Sequence, residues 1–180
     1  MSENAITNSN NKTASLPPPN ALESILLGGL AVGVLDILDA ITFSAIRSGT
    51  RPVTVLQSVA AGLLGREAAF SGGDKTAALG LALHFLNATL FATAFYLMSR
   101  FLPTLTRHAV IAGLLYGVAA HLVMQYVVLP NSKLGPRTRP TAFIVHVNGY
   151  VGHALLVGPP IALIARWSAK RQQAKASATH

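Results

Sequence analysis

The amino-acid sequence predicts an all-α transmembrane bundle of four helices, with a short interfacial or re-entrant helix in the first loop. Composition is the first reason. Of 180 residues, 51% are hydrophobic and 11% charged, whereas a soluble domain carries ~25% charged residues. Mean hydropathy is +0.47. The second reason is segment length: four apolar stretches, at about 24–46, 79–102, 109–129 and 142–165, are divided by polar or basic loops. Each is long enough for ~30 Å of hydrocarbon at ~1.5 Å per helical residue. The third is texture, since the stretches are rich in Ala and Leu and lack the two-residue alternation of a barrel strand.

Residues 1–20 are rich in Asn, Ser and Thr and include Pro17, Pro18 and Pro19. They offer too little apolar surface to offset the entropy of ordering and are expected to be a disordered polar tail. They make a poor secretory leader, because a long polar run precedes an apolar stretch holding Asp36 and Asp39. The membrane domain is expected over 21–167, followed by a basic, frayed tail over 168–180. Within the first loop, Pro52 is suited to start a helix over about 52–65 that is too short to span. Arg66 and Glu67 then belong in water, and Gly72, Gly73 and Asp74 make a turn. The tight link from Pro103 to His108 makes the second and third spans an antiparallel pair. Asn131 to Pro140 is a basic loop bearing Pro and Gly.

The formal charge is +8, and the Lys and Arg residues lie almost wholly outside the apolar runs. That pattern fits anionic lipid headgroups. Nucleic-acid binding is not expected, since no interleaving of aromatic and basic residues appears. Cysteine is absent, which excludes disulfides, thiolate metal sites and thiol catalysis. Lys12, Arg100, Arg107, Arg166, Lys170, Arg171 and Lys175 fall on the side shared by both termini. Arg47, Arg51, Arg66, Lys75, Lys133, Arg137 and Arg139 fall on the other, so loop charge does not set the orientation. The compact C-terminal cluster favours cytoplasmic termini in a multi-pass cell-membrane protein.

The polar residues inside the apolar spans are the informative ones. Asp36, Asp39, His84, His121, His146 and His153, with Asn87 and Gln125 as secondary members, all fall roughly 6 to 17 Å below one interface at ~1.5 Å per residue. Positions three, four or seven apart share a helix face. Gly29, Gly33, Asp36 and Ala40 form one stripe, Gly113, Gly117, His121 and Gln125 another, and His146, Gly149 and His153 a third. Small residues let helix backbones approach, so these stripes should face other helices. Asn148 lies on a different side of its helix from His146 and is expected to serve a different contact. A charged Asp at mid-bilayer costs ~2.5 to 3.5 kcal/mol on insertion scales, so protonation or pairing with imidazole is expected. Asn87, Gln125 and Asn148 also suit plain hydrogen-bonded helix contacts, Gly29-x-x-x-Gly33 and Gly113-x-x-x-Gly117 suit packing, and Pro159–Pro160 suits a kink. A weak repeat relates Gly29–Val34 to Gly113–Val118, as two hairpins of one type would.

No phosphate-binding Gly loop, dinucleotide fingerprint, His-Glu-x-x-His pair or nucleophile elbow occurs, and no enzyme activity is expected. The leading expectation is a membrane protein whose buried Asp/His cluster handles a proton or a cation. One alternative is a structural or assembly protein without its own activity. Another is an electron-transfer subunit whose His84, His121, His146 or His153 ligates haem b. The cofactor is left open between haem b, a divalent metal and none. Expected partners are the lipid bilayer and either a second copy of the chain or a membrane subunit. Gly33–Asp36, Leu56–Arg66, Ala78–Phe85 and Gly152–Leu163 together resemble a group of small four-span bacterial membrane proteins. That resemblance covers most of residues 25–166. It implies a bacterial cytoplasmic membrane and carries no activity with it.

Overall fold

The computed structural model describes residues 16–135 and 142–178, so Lys12, Arg137, Arg139 and most of the expected N-terminal tail lie outside the described residues. The protein is all-helical, with no strand among the described residues. In chain order the helices are α1 (Glu23–Ser48), α2 (Pro52–Leu64), α3 (Arg66–Ser71), α4 (Gly73–Phe101), α5 (Thr104–Arg107), α6 (Ala109–Val128) and α7 (Phe143–Ala178). Helices α1, α4, α6 and α7 are long and apolar enough to cross a membrane.

Local chemistry sets most boundaries. Gly49 closes α1 in the left-handed region at φ 62°, and its N–H donates to the Ala45 carbonyl at 2.9 Å. Arg51 is extended and Pro52 opens α2, where its missing N–H costs nothing. Gly65, at φ 89°, turns the chain directly into α3. Arg66 and Glu67 are exposed, as the sequence leads one to expect. They begin a further helical turn and a half that periodicity over six residues is too short to reveal. Gly73 opens α4 six residues before the expected start at 79.

Close contacts give the directions of the four long helices. Gly28 faces Ala92, Gly29 faces Thr89 and Gly33 faces the Phe85 ring, so α1 and α4 are antiparallel. Gly113 faces Pro159, Gly117 faces the His153 carbonyl and Gly149 faces His121, so α6 and α7 are antiparallel too. Gly28 also reaches Ile161 while Asp39 reaches Gly152, which sets α1 against α7. The order across the bundle is therefore α6, α7, α1, α4, with α2 on the far side of α4. The tight 103–108 link does return α6 antiparallel to α4. Their contact, however, is made by large side chains: Tyr116 donates to the Phe91 carbonyl at 2.6 Å and its ring meets Phe95 edge-on at 5.1 Å. Closer backbone approach is found instead for α1 with α4, α6 with α7 and α2 with α4.

Small residues make that approach possible. A buried cluster of Val32, Ala88, Ala92, Phe95, Ala109, Ala120, Val157, Ile161, Ala162 and Ala165 fills the half of the bundle near the termini. The outer face carries exposed Leu30, Leu38, Leu90, Leu115, Val127 and Leu155. At the other end, α2 packs on α4 where Gly80 admits the Leu56 carbonyl. Buried Gln57 donates to the Gly73 carbonyl at 3.1 Å, and Thr76 donates to Ala69 O at 2.6 Å. The segment after α6 seats on this platform, with Lys133 N–H donating to Gly62 O at 2.8 Å.

Helix α7 departs most from expectation. The sequence pattern ends it near 165, yet it continues to Ala178. Its Ala-, Lys-, Arg- and Gln-rich extension has high helix propensity, and one side of it docks on the start of α1. Ser168 is fully buried and donates to Glu23 Oε2 at 2.7 Å, while Arg171 pairs with Glu23 Oε1 at 2.9 Å. Residues 16–20 run alongside without helical structure, and the Asn20 N–H donates to Ser168 Oγ at 2.9 Å. Midway along α7, Pro159 and Pro160 lack N–H groups and their rings would strike the carbonyls four residues back. A wider π turn over His153–Val157 absorbs this without breaking the helix.

The Gly117 contact gives a direct stability test. A side chain there must displace the His153 backbone, and overpacking of this kind costs ~1–3 kcal/mol. Gly117→Leu is expected to lower the thermal midpoint of detergent-purified protein by several degrees. Leu115→Ala, at a position 68% exposed on the same helix, should leave it nearly unchanged.

Candidate functional site

Helix α7 brings the polar residues together by presenting two neighbouring stripes. Asn148 and Gly152, four residues apart, face α1, while Gly149 and His153 face α6. On the first stripe Asn148 Nδ2 donates to Asp39 Oδ2 at 2.9 Å. That oxygen lies only 3.0 Å from where a Cβ on Gly152 would stand. The absence of a side chain at 152 is thus what leaves room for the acid between α1 and α7. On the second stripe His121 is buried, its ring lying against the Gly149 backbone. The His121 ring meets His153 edge-on with centroids 4.7 Å apart, and Tyr150 at 4.5 Å.

His84 belongs to a separate contact. Its Nε2–H donates to the Gly33 carbonyl of α1 at 2.9 Å, and its ring is edge-on to Phe85 at 5.8 Å. This fixes a proton on Nε2 and joins α4 to α1. Asp36 is half-buried three residues beyond Gly33. Asn87 on α4 and Gln125, in a π turn of α6 over Met124–Val128, are also half-buried.

The sequence-derived set therefore divides. Asp39, His121 and His153 gather around α7, with His84 at the neighbouring α1–α4 contact. His146 does not join them. It is exposed near the start of α7, one turn before the point where α6 and α7 come together. Two residues complete the group that stripe reasoning passed over. Asn148 does serve a different contact from His146, and that contact is Asp39 itself. Tyr150 adds an aromatic wall to His121. The signal for Asn148 was its four-residue spacing from Gly152, a small residue placed to admit a partner helix.

The donor geometry bears on cofactors. Among the described residues no three His, Asp or Glu side chains converge as a metal's ligand set. A bis-histidine haem needs a slot for the macrocycle between the two rings. His121 and His153 instead touch directly, and His84 commits Nε2 to a carbonyl. Haem b does not fit these histidines as placed. Chemically, the arrangement offers a carboxyl that accepts one amide N–H at Oδ2 and, on the next stripe of α7, two imidazoles in ring contact. No family model, curated protein or solved structure matches the chain.

The Asp39–Asn148 bond can be weighed by a double-mutant cycle with Asp39→Leu and Asn148→Leu. Interhelical hydrogen bonds in a membrane protein average ~0.6 kcal/mol and reach ~1.7 kcal/mol. Unfolding in mixed detergents is expected to return a coupling energy within that range. A matching cycle of Asp39→Leu with Asn87→Leu should return none.

Proposed function

We propose that this chain is an integral membrane protein with four spans, whose Asp39, Asn148, His121 and His153 form a proton-handling group within the bundle. The bilayer reading is supported by the exposed apolar outer face and by where the aromatic residues fall. Trp167 and Phe101 lie towards the end that carries the termini, and Tyr126 and Phe143 towards the other, all well exposed. Aromatic side chains favour both boundaries of the hydrocarbon. The chain would be a multi-pass protein of the bacterial cytoplasmic membrane, with both termini cytoplasmic and with lipid as its main partner.

The proton reading rests on one observation: Asp39 is held by Asn148 on the same helical turn of α7 that leads to the touching His121–His153 pair. The Asn148 amide N–H occupies one acceptor site of Asp39 and leaves others able to take a proton or a further hydrogen bond. Imidazole is the side chain whose ordinary charge change falls near neutral pH, so a touching pair of them on the helix that holds the acid suits proton exchange. The work done with that proton, whether flux, sensing or coupling to a partner subunit, follows from the same group.

A structural reading has its own support. Gly152 backs Asp39 and Gly149 backs His121, so each polar group is enclosed as a helix-to-helix lock. In that case the protein would serve assembly, alone, as an oligomer or with a membrane subunit. The two readings part in proteoliposomes loaded with a pH-sensitive dye. Proton handling predicts acidification under an imposed gradient that falls about tenfold in Asp39→Asn, a barrier higher by ~1.4 kcal/mol. Asp74→Asn, at an exposed site on α4, should behave as wild type. If the wild-type protein gives no flux above empty vesicles, the transport form of the proposal is removed and the assembly reading stands.

A further inference from the structure

Away from the Asp/His group, the end of the bundle bearing the termini holds a cavity of about 540 Å³ that none of the foregoing uses. It opens where α4 ends, α5 begins and the extension of α7 passes by. Its size is within the ~300–1,000 Å³ usual for small-molecule sites. Among the described residues Arg100 supplies the only charged side chain of the lining, with Gln173 and Ser177 from α7 beside it and no carboxylate. Leu16, Pro17 and Pro18 close another side with apolar surface. A cationic, hydrogen-bonding wall facing an apolar one suits a ligand that is anionic at one end and greasy at the other.

Depth narrows the ligand further. Trp167 marks the hydrocarbon boundary on α7, and Gln173 is six residues beyond it, ~9 Å further out at ~1.5 Å per residue. The headgroup layer of a bilayer occupies roughly the outer 5–8 Å on each side. Gln173 thus stands at the outer edge of the headgroup layer, while Arg100, next to the exposed Phe101 at the end of α4, falls within it. Lys170, Lys175, Arg107 and Arg166 lie at the same end, while Arg171 is already paired with Glu23. Basic pockets between spans at this depth are suited to anionic lipid phosphates.

We propose that this cavity is a binding site for the phosphodiester of an anionic phospholipid, with Arg100 as its anion contact and the Leu16–Pro18 segment against the glycerol and upper acyl chain. The proposal rests on the membrane reading and is independent of the proton group. It gives the segment before α1 a role, because lipid would stabilise residues 16–18 where they cross the end of α4.

The test uses full-length protein in a mild neutral detergent, with the thermal midpoint read from its single Trp167. Phosphatidylglycerol is expected to raise the midpoint by about 4 °C or more beyond an equal amount of phosphatidylcholine. Arg100→Gln should lose most of that difference, whereas Arg107→Gln, outside the cavity lining, should keep it. Native mass spectrometry of the same samples should show one retained phosphatidylglycerol in wild type and loss of it in Arg100→Gln, which keeps the test decisive if that variant is less stable. Equal response of Arg100→Gln and wild type would overturn the site. So would the full shift produced by millimolar inorganic phosphate alone, which would make it a site for the free anion. Failure of the membrane reading would look different: the protein would not float with liposomes and would stay soluble without detergent.

Discussion

The close approach of α7 to both α1 and α6 is the contact on which the rest of the arrangement depends. Lipid tails are as apolar as leucine, so no hydrophobic force drives one span against another within a bilayer. What remains is intimate packing and hydrogen bonding between helices, and both require backbones to come near. Gly113, Gly117 and Gly158 let α6 and α7 meet with carbonyls and Cα atoms in contact. Gly149 and Gly152 then let side chains from α6 and α1 lie directly on the α7 backbone. The π turn over His153–Val157 is part of the same solution, since it keeps α7 continuous through Pro159 and Pro160 while the His153 backbone rests on Gly117.

From that packing the chemistry of the interior follows. Asp39 takes the place a Gly152 side chain would fill, and Asn148 reaches it from one turn earlier. The next stripe of α7 carries His153 to His121, within a wall completed by Tyr150. One helix thereby holds an acid on one side and an imidazole pair on the other. Glu23, the other carboxylate at a helix contact, is answered by Arg171 and Ser168 at the edge of the bundle. Asp39 is instead answered by a neutral amide, that of Asn148. That difference separates an ion pair that fastens α7 to α1 from the acid on which the proposed proton-handling group rests.

Much of this was legible in the sequence, because segments this long, apolar and rich in Ala and Leu leave few solutions other than long helices. The four long apolar helices and the short helix from Pro52 are read directly from segment length and from proline and glycine placement. The Gly stripes identify the faces that meet and carry His121 and His153 to a helix contact, but the first stripe holds Asp36, whereas the acid that reaches α7 is Asp39. What escaped is of two kinds. Boundaries set by docking escaped, as in the extension of α7 beyond 165, where alanine and lysine give no apolar signal and burial of Ser168 decides. Pairings set by three-dimensional order also escaped. A stripe indicates which way a residue faces and not how far the neighbouring helix extends, so His146 shares a stripe with His153 and still stands outside. Likewise the short 103–108 link suggests close backbones for α4 and α6, yet Tyr116 and Phe95 hold them apart.

The placement of Asp39 against Gly152 is open to direct measurement, because the natural chain has no cysteine. In an Asp39→Cys, Gly152→Cys variant the sulfur at 39 would occupy the place of the Asp39 Cγ, 3.7 Å from the Cβ built at 152. That is close enough for a disulfide with little adjustment. Oxidation in isolated membranes should block both thiols to a maleimide-linked polymer, and reduction should restore labelling, while either single variant stays reactive throughout. Full labelling of both thiols after oxidation would mean that α1 and α7 do not meet here, and the acid would have no place in the group built around α7.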